Sequence, residues 1–248
     1  MSTYCITMQY DGSRYNGWQK QGNTPNTIQE KLETVLSRIY NAPVEAAGSG
    51  RTDAGVHALG QTASFHISSG QNQYSCQELL QLLNQYLPLD IRILQIEPKE
   101  DRFHARLHAV GKIYEYRIDN GAYADVFLRR YAAHIPDTLD IDAMRRAAAH
   151  LIGTHDFKSF CANRRMKKST VRTIEAIDFQ QEGTLLTIRF SGDGFLYHMV
   201  RLLTGTLIEV GRHQRKADDI SSILDAKDYS QVTFTAPAEG LFLVSVRY

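Results

Sequence analysis

The sequence predicts an α+β fold built from two halves that repeat one order of elements, β-α-β-β-α-β. In the first half, three segments have the β-branched and aromatic content of strands: TYCITMQY, QTASFHI and IRILQIE. A fourth, VEAAGSG, is predicted as a short strand that comes second, before QTASFHI. A helical pattern lies between the first and second strands, and another lies between the third and fourth. This order is the split βαβ pattern of ferredoxin-like folds.

Both helices of the first half begin at a capping box, in which a hydroxyl caps the first turn and a glutamate three residues later bonds back to it. Thr27 pairs with Glu30 in one box, and Ser75 pairs with Glu78 in the other. Apolar residues follow each box at helical spacing, and a proline after each pattern ends the helix.

The second half repeats the order without repeating the sequence. Its predicted elements are a strand (HARLHAVGKIYEYRI), a helix (DAMRRAAAHLI), a hairpin (TVRTIEAIDFQ and LLTIRFSG), a helix closed by Gly211 (FLYHMVRLLTGTLIEV), a short helix (DISSILDA) and a final strand (GLFLVSVRY). We therefore predict two domains, residues 1–104 and 105–248. Their antiparallel sheets are expected to join edge to edge, with a cleft between the halves.

The composition is that of a globular protein, with 43% hydrophobic and 22% charged residues among 248. Cys5, Cys76 and Cys161 are few and widely spaced, which favours a reducing compartment over a disulfide framework. The N-terminus has no signal-peptide pattern, and no apolar run approaches the roughly 18 residues of a membrane span. The expected location is the cytoplasm.

The net charge of +1 does not indicate a polyanionic partner, but the charge is unevenly distributed. Residues 158–172, KSFCANRRMKKSTVR, carry six basic residues and no acid, and we call them the basic strip. The strip is either a solvated loop or a surface that contacts phosphates. The candidate contacts are Arg164, Arg165, Lys167 and Lys168.

The stretch GSGRTDAGVHALGQ, residues 48–61, is the strongest candidate for a functional loop. Its glycines fit neither nucleotide-binding pattern, and it lacks the lysine of a phosphate loop. Asp53, His57 and His66 could bind a metal, although Gly55 disfavours a helical face there. Asp53 could also be an ordinary turn former, or an ionised carboxylate that acts as nucleophile or base.

GRTDAGVHALGQ resembles the catalytic motif of the tRNA pseudouridine synthase A family. Further segments resemble family signatures in the right order: YDGSRYNGWQKQ with TIQEKLE, FHARLHAVGKIYEY, HDFKSF with STVRTI, GDGFLYHMVRLLTG and APAEGLFLVSVRY. The resemblance runs from about Tyr10 to Tyr248. It implies the pseudouridine synthase fold and an isomerase that needs no cofactor and works as a homodimer. The implied reaction converts uridine to pseudouridine at positions 38, 39 and 40 of the tRNA anticodon stem-loop.

The resemblance assigns two roles within the loop. Asp53 stands at the family's catalytic aspartate, which either attacks C1′ of the ribose or assists deprotonation at C2′. Arg51 matches the arginine that helps to hold the target nucleotide outside the stem. A uridine stacked in RNA must leave the stack before its glycosidic bond can be attacked.

The resemblance also assigns residues in the second half. Tyr114 matches the active-site tyrosine of K-x-Y-x-Y, with Tyr116 as the alternative register; both side chains fall on one face of a strand. Arg201 matches the arginine that pairs with the catalytic carboxylate. Leu241 matches an apolar residue that lines the uracil pocket.

Two other functions are compatible with parts of the sequence. The first is a non-catalytic RNA-binding module on the same fold, although binding alone does not require the set formed by Arg51, Asp53, Tyr114 and Arg201. The second is a metal-dependent hydrolase that uses Asp53 and His57. The expected partner is tRNA, and no cofactor, metal or membrane is expected.

Overall fold

The computed structural model of the chain describes residues 2–68, 70 and 73–248. The strands within these residues are β1 (Ser2–Tyr10), β2 (Ala46–Gly48), β3 (His57–Ile67), β4 (Ile91–Lys99), β5 (Gly111–Asp119), β6 (Ala133–His134), β7 (Gly153–Asp156), β8 (Val171–Glu182), β9 (Leu185–Gly192) and β10 (Leu241–Arg247). The α-helices are α1 (Ile28–Tyr40), α2 (Cys76–Tyr86), α3 (Ile141–Ala149), α4 (Met199–Gly211) and α5 (Asp219–Ala226).

The first compact unit contains the chain up to Val110 together with Phe242–Tyr248. Its antiparallel strands lie in the order β4-β1-β3-β2, and α1 and α2 follow the first and third strands in the chain. The predicted β-α-β-β-α-β order is therefore confirmed in this unit. The last strand, β10, adds a parallel neighbour to β3, with Phe242 beside His57.

The two helices of this unit begin where the capping pattern predicted. The Thr27 hydroxyl accepts a hydrogen bond from the Glu30 amide at 3.3 Å, while the Glu30 carboxylate contacts Lys20 at 3.1 Å. The predicted box at Ser75 is complete, because its hydroxyl caps the Glu78 amide and the Glu78 carboxylate accepts from the Ser75 amide. Across the described residues, no helix is both long and apolar enough to span a membrane.

The second compact unit contains Gly111–Leu241. Its strands lie in the antiparallel order β5-β9-β8-β7, and β6 adds a short parallel pairing to β5. The predicted hairpin is β8–β9, and α3 packs on α4 where Met144 lies against Gly211. The short strands β6 and β7 had no clear sequence signal. The domain extents 1–104 and 105–248, the joining of the sheets and the cleft remain predictions.

Two elements of the second half begin later than predicted. The helix predicted from Phe195 begins at Met199, because His198 has a left-handed backbone with φ of 62° that a helix cannot include. The strand predicted from His104 begins at Gly111, because the His104 carbonyl accepts the amides of Leu107 and His108 and turns the chain.

Candidate active site

Asp53 lies on a tight turn between β2 and β3 in the first unit. Its carbonyl accepts a hydrogen bond from the Val56 amide at 3.2 Å, and Gly55 has a φ of 80°. A left-handed third position followed by this bond is the pattern of a type II turn, which favours glycine there. Asp53 as a residue is partly exposed on this fixed turn.

A buried hydrogen-bond network holds the chain just before this turn. Gln61 is fully buried, and its side-chain oxygen accepts from the Ser49 hydroxyl at 2.8 Å. Its side-chain nitrogen donates to the Gly50 carbonyl at 3.1 Å and to the Tyr10 hydroxyl at 3.4 Å. Tyr10 in turn bonds the Thr52 hydroxyl at 2.8 Å. Burial raises the pKa of Tyr10 to about 12, so the phenol stays neutral in the network.

The segment Tyr15–Gln19 packs directly on the backbone of the turn. The Trp18 amide donates to the Thr52 carbonyl at 3.0 Å, and the Gly55 amide donates to the Tyr15 carbonyl at 3.4 Å. Gly17 has a φ of 84°, and a Cβ atom at this position would lie 2.6 Å from the Thr52 carbonyl oxygen. The segment YDGSRYNGWQKQ and the loop of residues 48–61 are therefore parts of one packed structure.

Arg51 is exposed beside the turn. Its Nε atom donates to the Gln19 side chain at 3.0 Å, and Gln19 is itself held by Gln29 at 2.7 Å. Among the residues that the structure describes, Arg51 forms no ion pair. The guanidinium is thus oriented by a neutral partner, and its charge is available to an anionic ligand.

His57 is a packed residue at the start of β3. It is 1% exposed, its Nδ1 accepts from the Gly12 amide at 3.1 Å, and Asp11 lies 3.3 Å from the same nitrogen. Its ring stacks on Phe242 with a centroid distance of 4.6 Å. These contacts connect the end of the loop to β10, so packing explains the histidine at position 57.

The metal site considered for Asp53, His57 and His66 gains no support from the geometry. His66 shares a hydrogen bond with the Thr3 hydroxyl at 2.8 Å, and His57 is held as described. The part of the chain that the structure describes contains no group of three or more His, Cys, Asp or Glu residues that could hold a metal ion.

In the second unit, Arg201 and Tyr116 bind two consecutive carbonyl groups. Arg201, in the first turn of α4, donates from Nε to the Ala236 carbonyl at 2.8 Å. The Tyr116 hydroxyl donates to the Pro237 carbonyl at 2.7 Å, and its ring lies against Gly240. Tyr116 is fully buried, and burial raises the pKa of its phenol well above the usual value. Tyr116 is therefore held inside the protein by this hydrogen bond and by its packing.

Tyr114 and Leu241 are nearly buried but differ from Tyr116 in their surroundings. Tyr114 is 7% exposed and meets Phe195 edge to face at 5.2 Å. Leu241, 5% exposed, begins β10 directly after the segment that Arg201 and Tyr116 hold. Of the two tyrosines considered for the active site, Tyr114 is the one whose hydroxyl is not bound to Pro237.

The four predicted phosphate contacts of the basic strip are exposed: Arg164, Arg165, Lys167 and Lys168. They lie on the irregular segment between the short 3₁₀ turn of Lys158–Phe160 and β8. Arg164 lies over the ring of Tyr229, with 4.8 Å from the guanidinium carbon to the ring centroid. The strip belongs to the second unit, whereas Arg51 and Asp53 belong to the first.

Sequence reasoning missed the residues that support the loop, namely Gln61, Tyr10 and Gly17. Each stands inside a segment that carried the family resemblance, so the segments were found but the contacts between them were not. Gln61 and Tyr10 are 51 residues apart, and neither residue type by itself signals a buried pair.

Replacing Gln61 by leucine is expected to lower kcat for the expected uridine isomerisation about tenfold. It should also lower the free energy of unfolding by about 2 kcal/mol. The substitution keeps the volume but leaves the Ser49 hydroxyl and Gly50 carbonyl without their buried partner. Steady-state kinetics and urea unfolding measure the two effects. Gln9, exposed on β1, offers a matched control, and Gln9→Leu should change neither value appreciably. An unchanged kcat in Gln61→Leu would contradict a role for this network in positioning the turn.

The two α+β units agree with the pseudouridine synthase fold that the resemblance implied. A family model described as tRNA pseudouridine synthase matches residues 6–107 and 147–248. A protein named tRNA pseudouridine synthase A from Bacillus sp. (strain KSM-64) is 45% identical over 248 residues, covering all of both chains. The relative named tRNA pseudouridine synthase A 2 from Bacillus cereus (strain ZK / E33L) is 43% identical with the same full coverage.

A third relative, named tRNA pseudouridine synthase A, comes from Limosilactobacillus reuteri (strain DSM 20016). It is 43% identical over 253 residues, covering all of this chain and 97% of the relative. The chain therefore belongs to the tRNA pseudouridine synthase family. The family predicted from the sequence is confirmed, and with it the class of enzyme, an isomerase that modifies tRNA.

Proposed function

We propose that this chain converts uridine to pseudouridine at positions 38, 39 and 40 of the tRNA anticodon stem-loop, with Asp53 as the essential carboxylate. The observation that carries the proposal is the fixed turn that presents Asp53. The buried bonds of Gln61 and Tyr10 hold one side of this turn, and the backbone of residues 15–18 holds the other. Membership of the family supplies the reaction class.

The reaction is an isomerisation that needs no net electron transfer. The bond from N1 of uracil to C1′ breaks, the base rotates, and a bond from C5 to C1′ forms. The C5 hydrogen leaves as a proton, and N1 gains a proton. The Asp53 carboxylate attacks C1′ or assists deprotonation at C2′ while the base is detached; an ionised carboxylate is suited to either role.

The other residues have separate roles in the proposal. Arg51 occupies the space left by the flipped uridine and contacts the RNA with its exposed guanidinium. The Tyr114 ring stacks on the detached uracil, and Leu241 lines the uracil pocket. Tyr116, the alternative register of the motif, is fully buried and bonded to Pro237. Arg201 pairs with the Asp53 carboxylate and orients it, as a guanidinium fork does for a carboxylate.

The basic strip supplies contacts to the phosphate backbone, which position an RNA without reading its sequence. Arg164, Arg165, Lys167 and Lys168 are exposed, and in the described part of the chain they form no ion pairs. The remaining parts of the proposal are a homodimer and a cytoplasmic location. The three free cysteines support a reducing compartment.

The test is release of tritium from tRNA labelled with 5-³H-uridine, with EDTA present. The expected result is release by the wild-type chain together with pseudouridine at positions 38, 39 and 40, mapped by chemical modification and primer extension. Release with modification at other positions would refute the site assignment. Binding of tRNA without release would refute the isomerase proposal in favour of a binding module.

A further inference from the structure

A cavity of about 520 Å³ lies in the second unit, where the basic strip faces the segment that follows α5. Its volume falls in the range of roughly 300–1,000 Å³ typical of small-molecule pockets. The strip contributes Lys158, Arg164 and Lys168, and the opposite wall contributes Lys227 and Tyr229. None of the residues proposed for catalysis lines this cavity.

The two carboxylates of the cavity already have partners. Asp156 contacts Lys227 Nζ at 3.3 Å and accepts from the Thr170 hydroxyl at 2.5 Å. Asp228 accepts from the hydroxyl and the amide of Ser230, and these bonds hold the pKa of the Asp228 carboxyl below its usual value. Both acids are therefore ionised and engaged at neutral pH.

The cations contributed by the strip are not neutralised in this way. In the described residues, Lys158, Arg164 and Lys168 form no ion pair. Asp228 is close enough to Arg164 and Lys158 for their charges to lower its pKa, but it bonds neither of them. The cavity thus carries surplus positive charge over its engaged acids, which suits a bound phosphate.

A flat surface lies beside this charge. The Arg164 guanidinium covers the Tyr229 ring at 4.8 Å, and Arg164 is exposed while Tyr229 is half-buried. A guanidinium plane and an aromatic ring both stack on nucleobases, and such stacking tolerates any base. Surface lysines alone would bind any anion, whereas a stacking surface beside them favours a nucleotide.

We propose that this cavity binds one nucleotide of the tRNA other than the target uridine, with its phosphate on Lys158 and Lys168 and its base on the Arg164–Tyr229 stack. The proposal rests on the proposed function, because it takes tRNA as the substrate. It also divides the basic strip. Arg164 and Lys168 line the cavity, whereas their neighbours Arg165 and Lys167 do not.

This division provides two variants that remove the same charge from the same segment. R164Q/K168Q removes two cations from the cavity, and R165Q/K167Q removes two cations beside it. The dissociation constant for tRNA is measured by filter binding over a series of salt concentrations. R164Q/K168Q is expected to raise the dissociation constant about tenfold and to reduce the salt slope by about one or more. R165Q/K167Q removes two backbone contacts but no part of the cavity lining, and it should raise the constant only about threefold.

Equal losses in the two double variants would overturn the proposal, because they would show diffuse attraction rather than a pocket. An unchanged constant in R164Q/K168Q would overturn it as well. The base contact is tested with Y229L and Y229F. Leucine should weaken tRNA binding about tenfold, and phenylalanine, which keeps the ring, should bind as the wild type does. Equal tRNA binding by the wild type, Y229L and Y229F would overturn the part of the proposal in which the base stacks on Tyr229.

Inorganic phosphate distinguishes an RNA site from a site for small anions. Millimolar phosphate should leave the difference between the two double variants unchanged at constant ionic strength; complete loss of that difference would assign the cavity to free phosphate. Tritium release is read in the same preparations. Pocket-specific binding without release by the wild type would refute the proposed function alone. Release by the wild type with equal losses in both variants would refute the pocket alone.

Discussion

Replacing Asp53 by asparagine is expected to abolish tritium release, with kcat reduced by at least about four orders of magnitude. Losses of this size follow the removal of a catalytic nucleophile when binding groups remain. The amide has nearly the same shape as the carboxylate, but it carries no charge and is neither a competent nucleophile nor a base. The measurement is single-turnover tritium release from saturating enzyme, which separates chemistry from binding.

The fold should survive this substitution. The bond that closes the turn uses the Asp53 backbone carbonyl, not the side chain, and the position is partly exposed. We therefore expect the dissociation constant for tRNA to stay within about threefold of the wild type. Asp178, exposed on β8, provides the matched control, and Asp178→Asn should keep the wild-type rate. A rate above about one per cent of wild type in Asp53→Asn would refute the assignment of Asp53.

The parts of the fold that were predictable depend on short-range chemistry. Thr27 and Ser75 cap their helices as expected, because a hydroxyl reaching an amide three residues ahead is a local contact. The order of strands and helices in the first half was also predictable, because apolar spacing is a local pattern too. His198 shows the limit of such reasoning. The apolar period continues through Phe195, but the left-handed backbone at His198 delays the helix to Met199.

The loop of residues 48–61 was predictable as a motif, whereas the contacts that support it were not. Gln61 acts through Ser49, Gly50 and Tyr10, and these contacts exist only after β1 and β3 have paired. The cavity in the second unit likewise depends on contacts between residues that are far apart in the sequence. Arg164 and Tyr229 are 65 positions apart in the sequence, and no periodicity connects a basic loop with a single tyrosine after a short helix.

Replacing Gly17 by alanine is expected to lower kcat about a hundredfold while tRNA binding stays within about threefold of the wild type. Gly17 has a φ of 84°, which is unfavourable for any residue with a Cβ atom, by roughly 1–2 kcal/mol. The added Cβ would lie 2.6 Å from the Thr52 carbonyl oxygen and 3.0 Å from the Asp53 carbonyl carbon. Both atoms belong to the backbone, so no side-chain rotation relieves the contact.

The clash must therefore move either the segment around Trp18 or the turn itself. The Trp18 amide is bonded to the same Thr52 carbonyl, which means that a shift of one displaces the other. A displacement of about 1 Å at a catalytic group costs on the order of a hundredfold in rate. The exposed contacts proposed for RNA binding on the strip belong to the other compact unit, and we expect them to be unaffected.

Gly22→Ala is the matched control, because a Cβ atom at Gly22 meets nothing within 4 Å. That variant should have the kcat and the unfolding free energy of the wild type. Gly17→Ala should also be destabilised, by about 2 kcal/mol in urea unfolding. The kinetic assay is therefore run at a temperature at which circular dichroism shows the variant fully folded. A folded Gly17→Ala protein with wild-type kcat would mean that the turn carrying Asp53 adjusts to the methyl group, and that the tight backbone packing is not what positions the carboxylate.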